Sequence, residues 1–440
     1  MKKILVLPII VSLIFVLSFL HQNAHSATTI DFIDQATTLH QTATFVAPNP
    51  SSITVGDKII FHAKVTDTST GTMTVPTGKL SWSDGGAGGH FNISGSCTLK
   101  AINSSASKCA IVYTAPPTAV GVTITATYSG DSTHQASSGT SVLLVKQDSL
   151  TGVGIDQVRN KIYVANEYDN TVSVVDTKSN KVIKTITVGS RPLFVDVNTQ
   201  TNKIYVTNYD SNSVSVIDGV THTVISTIPV GTNPVGVGVN PVTNKIYIGN
   251  YFLSVLVIDG ATNHVEKTIP VGSGASGIGI DSVTNKIYAV NSKDGAVSVI
   301  DGTTDAVVST IPVGSNPFGV TVNSVTNKIY VTNTLSNTIS EIDGSTNTVV
   351  STISVPAVPG GIEINNITNM IYYPTASAML QVIDGSTNTI VKTIPLAGGP
   401  DYVGVNDKTN KIYVADSYST SLYIIDGNTN SIINIIQVNN

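Results

Sequence analysis

The chain reads as all-β, a two-sheet sandwich followed by a radial array of short strands. Three observations predict this. A strand-forming motif recurs at a fixed spacing through the last two-thirds of the sequence. The hundred residues before it alternate apolar and polar, with turns at short intervals. One run in the repeats carries Gly in alternation, as in Gly236-Val237-Gly238-Val239, which suits strands crowded around an axis.

The motif is NKIYVAN at Asn160. It returns at Asn202, Asn244, Asn285, Asn327, Asn369 (as NMIYYPT) and Asn410. Its tyrosines, Tyr163, Tyr205, Tyr247, Tyr288, Tyr330, Tyr372 and Tyr413, are spaced by 42, 42, 41, 42, 42 and 41 residues. So strict a period predicts repeated supersecondary units packed side by side. Such a scaffold hosts unrelated functions, so the chemistry has to be sought in individual residues.

Taken from the start, residues 1–26 read as an export signal. Lys2 and Lys3 precede an apolar run from Ile4 to Leu20, and Ala24-His25-Ser26 forms a small-x-small cleavage site before Ala27. Retention of this segment as a membrane anchor is the alternative, since its length is at the lower edge for spanning a bilayer. Both readings place the remainder outside the cytoplasm, at the cell surface or secreted. Residues 27–41 are polar and read as a tether.

Residues 42–147 contain seven apolar-polar runs, among them DKIIFHAKVTD, GKLSWSD and KCAIVYTA. Seven short strands in this length predict a two-sheet sandwich with Trp82 in its core. Cys97 and Cys109 are the two cysteines of the chain. In an exported protein they are expected to form one disulfide, across a hairpin whose polar turn lies between them. Without a CxxC pair or a nearby His ladder they do not suggest zinc, and no metal is expected. The segments VGDKIIFHAKVTDTSTG, PTGKLSWSDGGAGGHF and YSGDSTHQASSGT, with the cysteine pair, resemble the immunoglobulin-like repeats of prokaryotic surface proteins. That resemblance implies a spacer or adhesion module without catalysis.

Residues 150–440 divide into seven repeats of four strands. In the second, the strands are expected at Leu193–Val197, Lys203–Val206, Val214–Ile217 and Val224–Ile228. The motifs YVTN (Tyr205 to Asn208), VIDG (Val216 to Gly219), TIPVG (Thr227 to Gly231) and NP-x-TN (Asn240 to Asn244) recur in phase. They resemble the YVTN-type β-propeller repeat family. The resemblance implies a seven-bladed β-propeller of the kind found in exported and surface-layer proteins. The ring is expected to close by packing of the last blade on the first, with no strand exchanged.

Composition removes several function classes. Charged residues make up 12% of the chain, arginine occurs only at Arg159 and Arg191, and the net charge is −5. No basic stripe exists for neutralising phosphates, so nucleic acid is not an expected partner. The repeated Asp-Gly after strand three reads as turn chemistry, with Asp bonding its own backbone and Gly taking positive φ. The repeated tyrosines read as packing between blades. His222 and His264, the histidines of the repeats, lie in turns with no nucleophile beside them. No Walker loop, HExxH or Gly-x-Ser-x-Gly occurs, and no cofactor is expected.

Function is therefore sought where the repeats differ, in the loops between strands two and three and in the crossings to the next repeat. These carry Glu167, Tyr168, Asp169, Arg191, Tyr209, Asp210, Tyr251, Phe252, Asp294 and Tyr418, with Lys293, Phe318, Asp401, Tyr402 and Asp416 nearby. Aromatics among acids and amides suit a glycan or a protein ligand at the cell surface. The chain is thus expected to be a non-enzymatic binding, adhesion or scaffold protein. The enzymatic alternative is a secreted lyase or lactonase around Asp196 and Glu363, carboxylates on otherwise apolar first strands. A purely structural envelope-lattice component is the third reading.

Overall fold

The computed structural model describes residues 39–48, 52–116, 120–146 and 149–438. The export signal and most of the tether lie outside the described residues. Among the described residues there is no α-helix, and no helix is long and apolar enough to cross a membrane.

The N-terminal region has ten strands where seven runs were expected. They are β1 (Thr42–Pro48), β2 (Ser52–Thr54), β3 (Lys58–Asp67), β4 (Lys79–Ser83), β5 (His90–Phe91), β6 (Ser96–Thr98), β7 (Lys100–Asn103), β8 (Ala106–Thr114), β9 (Val120–Tyr128) and β10 (Ser137–Lys146). One sheet runs β1-β3-β8-β5 with β7 also on β8, and the other β2-β10-β9-β4-β6. Period-two alternation in β3 sends Ile59, Phe61, Ala63 and Val65 inward. They meet Trp82, Tyr113, Ile124 and Tyr128 in one shared core, so Trp82 is a core residue as expected.

The run HFNISGSCTL breaks because Ile93, Ser94 and Gly95 all take positive φ (52°, 52° and 68°). The chain turns there, and β6 pairs with β4 in the opposite sheet from β5. This corrects the expected Cys97–Cys109 hairpin. The disulfide forms, with a Cα separation of 5.9 Å, but Cys97 lies on β6 and Cys109 on β8. It therefore joins the two sheets across the core.

The tether ends earlier than expected. His40 donates its N–H to the Thr133 carbonyl at 2.8 Å, and Gln41 accepts from Thr68 N–H at 2.8 Å. Residues 40 and 41 are fastened to the sandwich.

From Leu150 the described chain forms seven four-stranded antiparallel sheets, each from four consecutive strands, an all-β repeat architecture as in a propeller. In the second repeat the strands are Pro192–Asn198, Lys203–Asn208, Ser213–Asp218 and Thr223–Pro229. The YVTN residues each have a task. Tyr205 is fully buried against Ile246, Ile248 and Ile258 of the next sheet. Thr207 Oγ1 donates to Val235 O, also in the next sheet, at 2.7 Å. Asn208 Nδ2 donates to Ser213 and Ser215 Oγ, closing its own loop. At the opposite ends of the strands Asn240 Nδ2 reaches Asn285 Oδ1 of the following repeat at 2.9 Å, and Asn198, Asn323 and Asn365 do the same. The last sheet packs on the first: Tyr413, Leu422 and Ile424 share a core with Leu150, Ile162 and Val164. Among the described residues no strand is exchanged.

The Asp-Gly turns need a correction. Asp218 Oδ1 accepts from Val220 and Thr221 N–H as expected. The positive φ falls on His222, and on Asn or Asp at that position in the other repeats, not on Gly219. Glycine is required there for space: a Cβ on Gly219 would lie 2.2 Å from Asn202 Oδ1. Asn202 itself holds the positive φ of the Asn-Lys turn, a conformation asparagine tolerates.

Candidate functional site

Each loop between strands two and three bonds back to the crossing that starts its own repeat. Tyr209 N–H donates to Arg191 O at 2.9 Å, Ser292 N–H to Gly274 O at 3.0 Å and Ser417 N–H to Gly399 O at 2.9 Å. The two variable segments therefore share one face.

The residues proposed for that face fall into three groups. Arg191 Nε donates to Glu167 Oε1 at 2.8 Å, its guanidinium lies 4.8 Å from the Tyr209 ring, and Asp210 Oδ1 is 4.0 Å from Nη1. Tyr168 feels both Glu167 and Arg191, and burial with the Glu167 charge raises its pKa. Asp169 shares the same turn. Burial works against the Arg191 charge, but Glu167 outweighs it and holds the guanidinium pKa up. Arg191 has φ of 58° where the third, fourth and fifth repeats have Asn233, Gly274 and Asn316. Arginine costs about 1 kcal/mol in this region, so the chain spends stability to place a guanidinium on this face.

The second group is Tyr251 and Phe252, edge-to-face at 5.6 Å, with Lys293 Nζ 4.3 Å from the tyrosine ring. Asp294 stands beside it and holds the crossing that starts its repeat, accepting from Ser273 N–H at 2.7 Å.

The third group surrounds a cavity of about 330 Å³ between repeats five, six and seven. Tyr418 and Phe318 line it, with Thr334, Pro359, Asp401 and Ser417. Tyr418 is 67% exposed and its ring sits against Gly399, where a Cβ would come within 2.3 Å of it. The cavity exists because the sixth repeat deviates. Its first strand is only Glu363–Asn365, against seven residues in the others. Val358-Pro359-Gly360-Gly361 replaces the missing half. Gly360 O accepts from Thr332 Oγ1 at 2.9 Å, and Gly361 N–H donates to Asp401 O at 2.8 Å.

Phe194, Phe318 and Tyr402 meet beside this cavity, with ring centroids 5.2 to 6.5 Å apart. They come from the first strands of repeats two, five and seven, which are not adjacent. Rings from non-neighbouring sheets can meet only where all the sheets converge, so this cluster fills the axis. Burial and the Glu167 charge push Asp401 up to about 6. That coupling ties the cavity to the arginine group.

Asp196 and Glu363 lie elsewhere on the inner strands. Burial pushes Asp196 up to about 6 and Glu363 up to about 7. Asp196 accepts from Val197 N–H and, in the next sheet, Val239 N–H, both at 2.7 Å. Glu363 Oε1 accepts from Thr321 Oγ1 at 2.6 Å and Ile364 N–H at 3.0 Å. These carboxylates stitch inner strands to one another, and neither lines the rim cavity.

Sequence reasoning did not find Phe194 or the Val358–Gly361 segment as part of the site. The signal for the segment was present: VPAVPGG stands where the fifth repeat has VGSNPFG. Phe194 gave none, because contact across an axis has no sequence period.

Fold and rim together define the class: an all-β protein of repeated four-stranded sheets, as in a propeller. The chain is similar to Kuenenia stuttgartiensis hydrazine synthase, at 18% identity and a TM-score of 0.60, covering 64% of this chain and 96% of that one. At that identity the likeness shows the fold alone. No protein-family model matches the chain, and no curated protein sequence does.

Proposed function

We propose that this is an exported cell-surface protein whose immunoglobulin-like sandwich (42–147) spaces a seven-bladed YVTN-type propeller (150–440) from the envelope. The propeller binds a ligand, a glycan or a protein, on its variable-loop face without chemical conversion. The cavity under Tyr418 carries the proposal. Its volume is at the lower end for ligand pockets. An exposed tyrosine offers a flat apolar face, and Thr334, Ser417 and Asp401 offer hydroxyl and carboxyl partners. That combination favours a glycan, whose rings have apolar faces and hydroxyl edges. The lyase or lactonase alternative has less support, because Asp196 and Glu363 are already occupied by strand-to-strand hydrogen bonds.

Screening the full chain against glycan and protein arrays tests the proposal. Binding should weaken when Tyr168, Tyr209 and Tyr251 are replaced by Ala, and more when Tyr418 is. Retention of full binding by both variants counts against the rim.

The lattice reading keeps one specific observation in its favour. The outermost strands expose Ile225, Val350, Val391 and Ile433, each about half accessible. Unpaired apolar edge strands promote lateral association. Sedimentation of the full chain distinguishes the two: concentration-dependent assembly without ligand favours the lattice.

A further inference from the structure

His40, Asp67 and His134 lie 27 and 67 residues apart in sequence, and no local pattern connects them. The fold brings them together at one end of the sandwich. His40 Nδ1 is 2.7 Å from Asp67 Oδ2, and His134 Nε2 is 3.7 Å from the same oxygen. The three ligand atoms all lie within 4.8 Å of one another. The side chains of Asp67 and His134 are fully buried, and that of His40 is 28% exposed.

The surroundings fix the ring of His134. Its Nδ1 is 2.8 Å from Asp131 Oδ1, a carboxylate that accepts the Nδ1 proton. That leaves Nε2 as the acceptor, 3.0 Å from Thr74 Oγ1, whose hydroxyl can donate to it, with Thr74 O at 3.3 Å and Asp67 Oδ2 at 3.7 Å. Asp67 Oδ1 accepts from Ser69 N–H at 2.9 Å, and Oδ2 from Thr74 N–H at 2.7 Å. An imidazole nitrogen and a carboxylate oxygen thus share a buried site, and a cation between them would take both as ligands, displacing the Thr74 hydroxyl from Nε2. A carboxylate holding the distal nitrogen of a histidine is the outer-sphere arrangement that orients metal ligands. A cavity of about 410 Å³, lined by His40, Thr68, Ser69, Thr72 and Gln135, gives access from the His40 side.

We propose that His40 Nδ1, Asp67 Oδ2 and His134 Nε2 bind one divalent cation of the zinc class. Two imidazoles and one carboxylate select Zn²⁺, Co²⁺, Ni²⁺ or Cu²⁺ over Ca²⁺ and Mg²⁺, which prefer all-oxygen sites. Bonds of about 2.0–2.2 Å set tetrahedral ligand atoms further apart than the 2.7 Å between His40 Nδ1 and Asp67 Oδ2, so the partly exposed His40 ring has to swing off that oxygen as the ion enters. The cation's role is mechanical. His40 is pinned by backbone bonds to Thr133 and Gln135, so an ion shared with Asp67 and His134 clamps residues 40 and 41 onto the sandwich.

Untagged full chain, stripped with chelator, is titrated with Co²⁺ and followed by visible absorption. Zn²⁺ is titrated in parallel by calorimetry, and Ca²⁺ is the negative control. The proposal expects close to one Co²⁺ per chain with a tetrahedral or five-coordinate spectrum, displaced by Zn²⁺. Asp131→Asn, which removes no ligand, should weaken Zn²⁺ about 10- to 100-fold. His40→Ala, at the exposed member, should abolish the spectrum while leaving the fluorescence of Trp82 native. Well under one-tenth of an equivalent bound overturns the proposal. So does binding that neither variant changes, because the ion would then sit on other histidines and the cluster would be a hydrogen-bonded latch alone.

Discussion

Arg191 donates to Glu167 across the boundary between the first and second repeats, at 2.8 Å, from a backbone position with φ of 58°. Glu167 is buried and also accepts from Ser149 Oγ at 3.0 Å. The pair is therefore asymmetric. Removing the arginine alone leaves a buried carboxylate without its charge partner, a costly state. Arg191→Ala should destabilise the repeats by about 2–3 kcal/mol. Arg191→Asn combined with Glu167→Gln should recover at least that, because asparagine accepts positive φ and no charge is left buried. Urea unfolding followed by tyrosine fluorescence compares the two. Equal loss in both would place the effect elsewhere.

The repeated tyrosines separate into two kinds. The Tyr205 hydroxyl meets no protein partner, whereas Tyr247 Oη donates to Asp305 Oδ1 at 3.1 Å. Tyr247→Phe should cost about 1–2 kcal/mol, as for a lost hydrogen bond to a carboxylate, and Tyr205→Phe should be close to neutral. Tyr205→Ala should cost about 3–5 kcal/mol through the cavity it leaves against Ile246 and Ile248. Thermal unfolding of the three variants checks the order.

Stability should fall as pH rises from about 4.5 to 7.5. Asp196 and Glu363 have folded pKa values of about 6 and about 7, above their ordinary values. The folded state then holds their protons more tightly than the unfolded chain, so their stabilisation is complete below pH 4 and lost as pH passes 6 to 7. Asp407 and Asp196, the charges beside Glu363, add to its shift. Both groups keep a partial edge in water, so the combined effect should be on the order of 2 kcal/mol. Asp196→Asn with Glu363→Gln should flatten the slope. An unchanged pH profile in the double variant would show that these carboxyls are not the source.

The Cys97–Cys109 bridge should report on the sandwich alone. Trp82, the sole tryptophan, donates from Nε1 to Cys97 Sγ at 3.1 Å, so its emission follows this region. Replacing both cysteines by serine should lower the tryptophan-detected transition by roughly 3 kcal/mol. The tyrosine-detected transition of the repeats should stay in place. Unreduced peptide mass spectrometry should recover residues 97 and 109 linked.

Much of this architecture can be read from the sequence because the repeat writes it seven times. Asn208 has counterparts in Asn166, Asn291 and Asn333 because each donates to a serine of its own third strand, and Thr207 returns as Thr332, which makes the same bond to the next repeat. Other features could not be read, for physical reasons. Ile93 and Ser94 take positive φ; Ser94-Gly95 in HFNISGSCTL marks a turn, but nothing in the run says that the turn carries Cys97 to the other sheet. Gly219 looks like a positive-φ glycine, yet it answers to crowding by Asn202 two strands away in the chain. Glu167, Arg191, Tyr209 and Asp210 were legible as variable residues, and the fold gathers them. The cavity under Tyr418 arises from what the sixth repeat lacks, and Phe194 reaches Tyr402 across an axis that no linear period encodes.

The most direct test of ligand binding at the rim is a calorimetric titration of the full chain with the best glycan from an array. The parent, Tyr418→Ala and Ala376→Trp are compared. Ala376 lines the cavity and is exposed, so a tryptophan there fills the space without entering a core. The account predicts saturable binding by the parent, at least a tenfold loss with Tyr418→Ala, and no measurable binding with Ala376→Trp. All three proteins should unfold at the same temperature within about 2 °C. Binding by Ala376→Trp as tight as the parent, or no glycan bound by the parent at all, would contradict it.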